Sequence, residues 1–340
     1  MVAPQRGTCG TVGDGELPLP ALTPGVTPAV TRRAQADGHG LSHLAFLYRG
    51  ASEYLEHVLA FIREGLASGE PVFAVLPGDL GWRVRADLGA ADWQLAVADI
   101  SELGRNPARI TLALGTFADQ HAGQQLRIVT EPLWPARTDA ETAEVMKHEA
   151  LVRLAVAAVS GQILCAYDAS QLSPARIDGA CRTHPEIVER GRRRPSSGYG
   201  TGTGQLREAE LPPPPASAEF IAYDSQLHSV RALAGRYGER AGLPTDRCAD
   251  LVLAVSEITA NTLAHTAGGG TAHIWISGHE VLCQIHDGGW IADPMAGRKR
   301  PPPDSPGQGL WVVNHVCDLV EMRSGPAGTT TRLHIRLPGR

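Results

Sequence analysis

The stretch SEITANTLAHTAGGGTAHIWISGHEVLCQIHDGG, residues 256–289, contains the pattern that decides the fold of the second half of the chain. Its first part belongs to a helical pattern that runs from about Thr245 to His265, with apolar residues at the 3.6-residue period. Two alternating runs follow, at 271–277 and 280–286, and Gly278-His279 separates them as a turn, which predicts a β-hairpin. The stretch therefore predicts a helix that leads directly into paired strands.

The flanking segments extend this pattern over residues 217–340. Helical spacing is visible before it at 227–241, and a proline-rich loop follows it at 291–306. A further helix is predicted from four apolar residues that share one face: Leu310, Val313, Cys317 and Val320. The chain then closes with an alternating strand around 332–337. Helices followed by a meander of strands favour a two-layer α+β sandwich.

Polar residues also recur on the helix at 245–265. Glu257, Asn261 and His265 are spaced four residues apart and therefore form one stripe, which lies beside the apolar stripe. The side-chain oxygen of Asn261 suits Mg²⁺, which prefers hard oxygen ligands. Glu257 has the chemistry of a general base for a hydroxyl or a water. Taken alone, this pair favours an ordinary polar helix face.

Two glycine-containing turns extend the candidate pocket. Asp287 ends the second hairpin strand and is followed by two glycines; a carboxylate there can accept a hydrogen bond from an exocyclic amine, and glycine admits a flat ring. Gly307 and Gly309 open the next helix, whose free N–H groups attract phosphate. The loop at 291–306 is long, and long loops are often functional lids. Each turn alone is equally an ordinary connection.

The order of these features resembles the Bergerat ATPase fold of gyrase, the Hsp90 chaperones, MutL and histidine kinases. The resemblance assigns Glu257 and Asn261 to the N box, with Asn261 as the Mg²⁺ ligand. It assigns Asp287 and Gly289 to the adenine-reading box. Four further nucleotide contacts are implied on the phosphate side, at the following helix and near the adenine: Gly307, Gly309, Leu310 and Thr330. ATP and Mg²⁺ are the implied cofactors.

Residues 217–340 are similar to the small anti-sigma serine/threonine kinases of the RsbW type, above all in GQGLWVVNHVCDLVEMR (307–323) and GTTTRLHIRL (328–337). This resemblance implies transfer of the ATP γ-phosphate to a serine or threonine of an anti-anti-sigma (STAS-type) protein, with Glu257 as general base. Sequestration of a sigma factor is the other implied activity.

The turn after Asp287 reads Gly-Gly-Trp, where many relatives carry a further glycine. An alternative is therefore an ATP-binding anti-sigma module that sequesters its partner with little or no kinase turnover. A sensor histidine kinase is discounted, because residues 190–217 contain neither a dimerising helix nor a phosphoacceptor histidine.

Short apolar runs alternate with helical patterns over residues 39–189, which predicts a mostly parallel, doubly wound α/β sheet. Strands are predicted at 45–50, 71–79, 94–100, 125–134 and 162–168, and helices within 53–68 and 141–159. The motif GxxxxGK[ST] of a P-loop is absent from the sequence.

This half of the chain resembles the RecA-like MEDS sensory domain. The resemblance rests on His43 with Tyr48, on FIREGLASGEPV (61–72), on EPLWP (131–135) and on LCAYD…THP (164–185). It implies that the domain senses an unknown signal, with a small-molecule ligand or a partner as the input.

Residues in these MEDS-like motifs also have simpler explanations. His43 at a strand start is more often a hydrogen-bonded structural histidine than a ligand, and Glu149 is more often a paired or solvated carboxylate than a pocket residue. Trp134 between prolines is a packed anchor, and Tyr167-Asp168 a strand-end turn. If a ligand binds here, the carboxyl ends of the strands are the expected place.

Composition shifts divide the chain. Residues 1–38 have no apolar periodicity and are predicted to be a disordered leader. Residues 190–216 are rich in Arg, Gly and Pro and are predicted to be a linker. The domains are therefore predicted at 39–189, the sensory domain, and at 217–340, the ATPase domain.

The bulk properties restrict the class of protein. A net charge of −5 and a pI near 6.2 give no global reason to expect contact with nucleic acid. No apolar run approaches the roughly 18 residues of a membrane span, and no secretory signal is visible, so a cytoplasmic protein is expected. The six cysteines are scattered singly, without metal-binding or disulfide spacing. The sequence leaves a homodimer open.

Overall fold

The computed structural model contains two β-sheets, each with its own helices. It describes residues 40–88, 94–157, 159–200, 210–225, 227–266, 268–302 and 307–338. The predicted leader at 1–38 lies outside these residues. The chain from Ala34 to Arg340 forms one compact unit. The domain built on the first sheet and the domain built on the second therefore pack against each other. Among the described helices, none is long and apolar enough to cross a membrane.

The first sheet has seven strands in the order β3-β2-β4-β5-β1-β6-β7. They are β1 (Ser42–Tyr48), β2 (Val72–Leu76), β3 (Leu95–Asp99), β4 (Gln125–Thr130), β5 (Ser160–Asp168), β6 (Glu186–Glu189) and β7 (Arg192–Pro195). Neighbours from β3 to β6 pair in parallel, and β7 pairs antiparallel with β6. The predicted mostly parallel α/β architecture is confirmed. The central strands read as continuous apolar runs because helices cover both faces of such a sheet.

The helices of this domain are α1 (Ala51–Ala67), α2 (Gly78–Leu88), α3 (Ile100–Leu103), α4 (Pro107–Gln120), α5 (Asp139–Ala155) and α6 (Pro174–Thr183). Helix α5 begins in a capping box, in which Thr138 Oγ1 accepts from the Glu141 amide at 3.2 Å and Glu141 Oε2 accepts from the Thr138 amide at 2.7 Å. The strand predicted at 125–134 ends earlier, at Thr130. Pro132 and Pro135 follow it, and proline cannot donate to a ladder.

The second sheet is antiparallel, with five strands in the order β11-β12-β10-β9-β8. These strands are β8 (Glu219–Tyr223), β9 (Gly270–Ser277), β10 (Glu280–Asp287), β11 (Leu319–Gly325) and β12 (Gly328–Arg336). The helices of this domain are α7 (Leu227–Ala241), α8 (Thr245–His265) and α9 (Gln308–Val316). Apolar residues of the helices, such as Leu251 and Val255, pack in one core with Ile285 and Leu333 of the sheet. The predicted two-layer α+β sandwich is confirmed.

Other segments also differ from the predicted elements. The helix expected to extend to Val320 ends at Val316, because the Asp318 amide donates to the His334 carbonyl at 3.0 Å and begins the ladder of β11. The edge strand β8 was not predicted; it is short, and its Phe220 is exposed. Arg192–Pro195, within the predicted linker, forms β7.

Buried polar contacts join the two domains through helices α4 and α5. Glu144 of α5 binds both Arg298 Nη2, at 2.9 Å, and Arg323 Nη1, at 2.8 Å. Asn106, which caps α4, donates to the carbonyl and side-chain oxygens of Asn314 in α9, at 3.0 and 3.1 Å. These helices of the first domain therefore contact the loop that contains Arg298, strand β11 and helix α9 of the second domain.

Candidate functional site

Helix α8 holds Glu257 and Asn261 directly opposite the start of α9. A Cβ atom added to Gly309 would lie 2.6 Å from Glu257 Oε2 and 3.3 Å from Asn261 Nδ2. Both polar side chains are half-buried, whereas Ile258 between them is buried in the core. Glycine at 309 therefore lets the α9 backbone approach these two groups without displacing their side chains.

Asp287 lies at the end of β10 and is held by two hydrogen bonds. Its Oδ2 accepts from Thr262 Oγ1 at 2.7 Å, and its Oδ1 accepts from the Gly289 amide at 2.8 Å. The Tyr223 hydroxyl lies 3.0 Å from Thr262 Oγ1 and continues the network into the core. A carboxylate has about four acceptor positions, so Asp287 retains capacity for a further donor such as an exocyclic amine.

The turn after Asp287 brings the backbone close to the helix layer. A Cβ atom on Gly289 would lie 3.0 Å from both Asp287 Oδ1 and Thr266 Cγ2, so a side chain there would fill the space beside the carboxylate. The Gly289 carbonyl accepts from Thr329 Oγ1 at 2.8 Å, which ties the turn to β12. The following residue, Trp290, is 62% exposed.

The start of α9 presents free backbone donors. Gly307 takes φ +99°, a left-handed conformation that favours glycine. The first amides of a helix have no partner within it, and no side chain of the described residues caps α9. Uncapped helix amides attract anions such as phosphate.

These groups fit a magnesium nucleotide by their chemistry. The neutral oxygen of Asn261 suits the cation, the α9 amides suit phosphate, and Asp287 suits an amine-bearing ring. Gly289 and Gly309 leave the space that side chains would otherwise occupy.

The segment between the Asp287 turn and α9 contacts the sensory domain. Gly297 takes φ +71°, and a Cβ atom there would lie 2.7 Å from Asn314 Nδ2 and 2.9 Å from the Leu310 carbonyl oxygen. Asn314 also donates to the Gly297 carbonyl at 3.1 Å. The next residue, Arg298, is buried against Glu144 of α5. We call residues 291–302 the lid segment.

Thr330 and Leu310 are the other two residues expected to contact the nucleotide. Thr330 pairs with His286 in the β10–β12 ladder and lies on the opposite sheet face from Asp287; its Oγ1 is 3.0 Å from His286 Nδ1. Thr329 is the residue opposite Asp287 in the ladder. Leu310 packs against the hydrophobic core.

Sequence reasoning missed Thr262 and Thr329. Thr262 fits the apolar stripe of α8, so its spacing in the sequence predicts a core residue and conceals its polar role. Thr329 adjoins Thr330 in a run of three threonines. Which of them lies on the same face of the sheet as Asp287 depends on the register of β12 against β10. The one feature of the sequence that points to Thr262 is its position directly after Asn261.

The sensory domain contains a second polar cluster, at the middle of its sheet. His43, Glu149, Cys165 and His184 are all buried, and one ligand-type atom from each lies within 4.8 Å of the others. Burial lowers the pKa of His43 to about 4. Burial alone would raise the pKa of Glu149, but the neighbouring His184 and His43 hold it well below its usual value. His43 is therefore hydrogen-bonded within a larger group of polar side chains.

A third buried group lies at the end of β4. Tyr48 Oη donates to Glu131 Oε1 at 2.7 Å, while Glu131 Oε2 has no hydrogen-bond partner in the described part of the chain. Burial raises the pKa of Glu131 to about 7. Glu131 therefore titrates near neutral pH.

Comparisons with known proteins identify two domains. Residues 42–185 match the model described as MEDS, the MEthanogen/methylotroph, DcmR Sensory domain. Residues 220–335 match the histidine kinase-like ATPase domain. An ATPase domain of this fold implies ATP as ligand, usually with Mg²⁺. The chain therefore contains a MEDS domain followed by a histidine kinase-like ATPase domain.

Comparison with curated proteins gave no match. A crystal structure of the RsbU and RsbW domains of Rv1364c from Mycobacterium tuberculosis is similar over 37% of this chain and 34% of that chain, at 23% identity and a TM-score of 0.29. This chain thus spans about a third of that one, and the TM-score does not establish a shared overall fold.

Proposed function

We propose that this chain, in which a MEDS domain precedes a histidine kinase-like ATPase domain, is an ATP-dependent serine/threonine protein kinase. Its substrate is an anti-anti-sigma protein of the STAS type, and its activity controls the availability of a sigma factor. The MEDS domain supplies the signal. The proposed site residues are Glu257, Asn261, Asp287, Gly289, Gly307 and Gly309.

The observation that carries the proposal is the approach of Glu257 and Asn261 to the α9 backbone at Gly309. Phosphoryl transfer depends mostly on positioning and on neutralising charge. An acidic side chain, a neutral oxygen ligand and an uncapped helix start at one place supply what the transfer needs. A polar helix face exposed to solvent would not require glycine opposite it.

Each residue has a distinct part in this proposal. Glu257 accepts the proton of the attacking serine or threonine hydroxyl. Asn261 contributes its side-chain oxygen to Mg²⁺, which when bound neutralises phosphate charge. Asp287, oriented by Thr262 and the Gly289 amide, accepts a hydrogen bond from the adenine amine. The α9 amides after Gly307 bind phosphate oxygens.

The contacts between the domains support signal input through the lid segment. Arg298 of the lid segment is bound by Glu144, and Asn314, which holds Gly297, is bound by Asn106. Both sensory-domain residues lie on or cap helices of the MEDS domain. A change in the position of α4 or α5 would therefore alter the segment that borders the proposed phosphate site.

One observation favours a second candidate, an ATP-binding anti-sigma module that sequesters its partner with little turnover. The Gly-Gly-Trp turn carries Trp290, which is 62% exposed and directly follows Gly289 of the proposed adenine site. A large exposed aromatic suits a protein interface.

The test is transfer of label from [γ-³²P]ATP to a STAS-type protein encoded in the same genome. Label on a serine or threonine of that protein, lost in Glu257→Gln, supports the kinase. The matched control is Glu239→Gln, an exposed glutamate on α7, which should keep full activity. Tight partner binding without label, unchanged by Glu257→Gln, contradicts the kinase and favours sequestration.

A further inference from the structure

Four metal-ligating side chains from four different elements converge inside the MEDS domain. His43 comes from β1, Glu149 from α5, Cys165 from β5, and His184 follows α6. All four are buried, with 0 or 1% exposure. The cysteine and histidines are far apart in sequence, so no ligand spacing along the chain reveals them.

Four of the six separations between the candidate ligand atoms are close to the edges of a coordination tetrahedron, and all six lie within 4.8 Å. His43 Nε2 lies 3.0 Å from Glu149 Oε2 and 3.4 Å from Cys165 Sγ. Glu149 Oε2 lies 3.5 Å from Cys165 Sγ and 3.3 Å from His184 Nε2. Zinc bonds of about 2.0–2.3 Å to nitrogen, oxygen and sulfur give tetrahedral edges of roughly 3.3–3.6 Å. The four atoms are thus spaced to share one ion.

Outer hydrogen bonds already orient two of these ligands. His184 Nδ1 lies 2.8 Å from the Ala180 carbonyl, to which it donates. The Tyr167 hydroxyl donates to Glu149 Oε1 at 2.8 Å and leaves Oε2 for the cluster. Partners of this kind fix the tautomer and direction of metal ligands in proteins.

The remaining atoms suit a cation. With Nδ1 carrying the proton, His184 Nε2 presents a lone pair to a carboxylate oxygen 3.3 Å away, and it has no other hydrogen-bond partner among the described residues. A lone pair facing a buried carboxylate is unfavourable unless a proton or a metal ion lies between them. The thiol of Cys165 adds a soft ligand that a proton-mediated network does not need.

We propose that His43, Glu149, Cys165 and His184 form a binding site for a divalent transition-metal ion of the zinc class. Two imidazole nitrogens, one sulfur and one carboxylate oxygen make a closed four-ligand set, which is typical of a structural or sensing zinc site. Cys165 binds as the thiolate and releases its proton to solvent. This inference concerns the MEDS domain and does not depend on the proposed kinase activity.

The experiment uses the full-length protein, freed of metal with a chelator and titrated with Co²⁺ and Zn²⁺. We expect about one equivalent of Co²⁺ to bind, with the visible absorption of tetrahedral Co²⁺ and a thiolate-to-cobalt charge-transfer band. Zn²⁺ should displace the cobalt and raise the Tm, because a ligand that binds the folded state stabilises it. The variant Cys165→Ser should lose the charge-transfer band. The variant His184→Gln should bind less than one equivalent of Co²⁺.

Matched controls separate this site from other thiols and imidazoles. Cys283→Ser removes a buried cysteine of the ATPase domain, and His148→Gln removes a buried histidine next to Glu149; both should keep the cobalt spectrum. No cobalt spectrum in the wild-type protein, or the same spectrum in Cys165→Ser, overturns the proposal. If the Cys165 variant does not fold, the wild-type titration alone decides, since a thiolate band supports the site and its absence excludes it.

Discussion

Glu144 and Arg298 form a buried ion pair that joins the MEDS domain to the lid segment of the ATPase domain. Glu144 Oε2 and Arg298 Nη2 are 2.9 Å apart, and their side chains are 1% and 6% exposed. The second carboxylate oxygen of Glu144 binds Arg323 Nη1 at 2.8 Å. One carboxylate thus holds two arginines of the other domain, one in the lid segment and one in β11.

The variant Glu144→Gln should free the lid segment and destabilise the protein. Removing one partner of a buried pair leaves an unpaired buried charge and costs about 3–5 kcal/mol. Amide exchange at 291–302 should rise, as measured by hydrogen–deuterium exchange. Glu56→Gln, at an exposed glutamate of α1, serves as the control. Unchanged exchange at 291–302 in the Glu144 variant would contradict a role in holding the lid.

The variant Asn261→Ala should lose Mg²⁺-dependent binding of ATP. The neutral oxygen proposed as the Mg²⁺ ligand disappears, so we expect at least a roughly tenfold loss of affinity, or about 1.4 kcal/mol. Titration with a fluorescent ATP analogue, with Mg²⁺ and with EDTA, measures it. His265→Ala changes an exposed residue one turn further along the same stripe and should bind normally. Intact Mg²⁺ dependence in Asn261→Ala would refute the ligand assignment.

The variant Thr262→Val should weaken ATP binding by roughly twofold to tenfold. It removes the donor that orients Asp287 Oδ2 at 2.7 Å, and such hydrogen bonds contribute about 0.5–1.5 kcal/mol. The same titration applies. Thr259→Val is the matched control, since Thr259 is also buried on α8 but donates to the Val255 carbonyl of its own helix. An equal loss of ATP affinity in the two variants would show that Asp287 needs no hydrogen bond from Thr262 to bind the nucleotide.

Glu131 should make the stability of the MEDS domain depend on pH. Its pKa is raised by burial from 4.5 to about 7, so between these values the folded state binds more protons than the unfolded state. The contribution of Glu131 to stability therefore falls as pH rises through this window, by roughly 3 kcal/mol in total. The difference in the free energy of unfolding between the wild type and Glu131→Gln, measured by urea unfolding at pH 5 and pH 8, should fall by this amount. A wild type and a variant with parallel pH profiles would be inconsistent with a raised pKa.

The fold classes and the order of the ATPase motifs were predictable from sequence, because they depend on local periodicity and on short spacings. Thr245–His265 was predicted with the bounds that α8 has. The end of α9 was not, since Val320 fits both a helical stripe and a strand, and the ladder bond from Asp318 decides between them. Edge strands such as β8 carry little apolar signal because one side of them is exposed to solvent.

The arrangement of side chains within the candidate site was less predictable. The position of Thr330 depends on the register of β12 against β10, and a shift of one residue moves a side chain to the other face of the sheet. The cluster of His43 and Cys165 depends on the parallel pairing of β1 with β5, which brings residues more than 100 positions apart together. The pairing of Glu144 with Arg298 depends on how two domains dock, and local patterns carry no information about that.

Helix α5 carries Glu149 and, five residues earlier, Glu144. The helix is continuous from Asp139 to Ala155. A metal ion bound at Glu149 and the lid segment, held through Arg298 at Glu144, therefore act on the same stiff element. Thermodynamic linkage then makes the influence mutual. If a metal ion at the MEDS cluster changes the affinity for nucleotide by some factor, bound nucleotide must change the affinity for the ion by the same factor. A metal titration with and without ATP would then report the coupling between the two domains, even in a variant that transfers no phosphate.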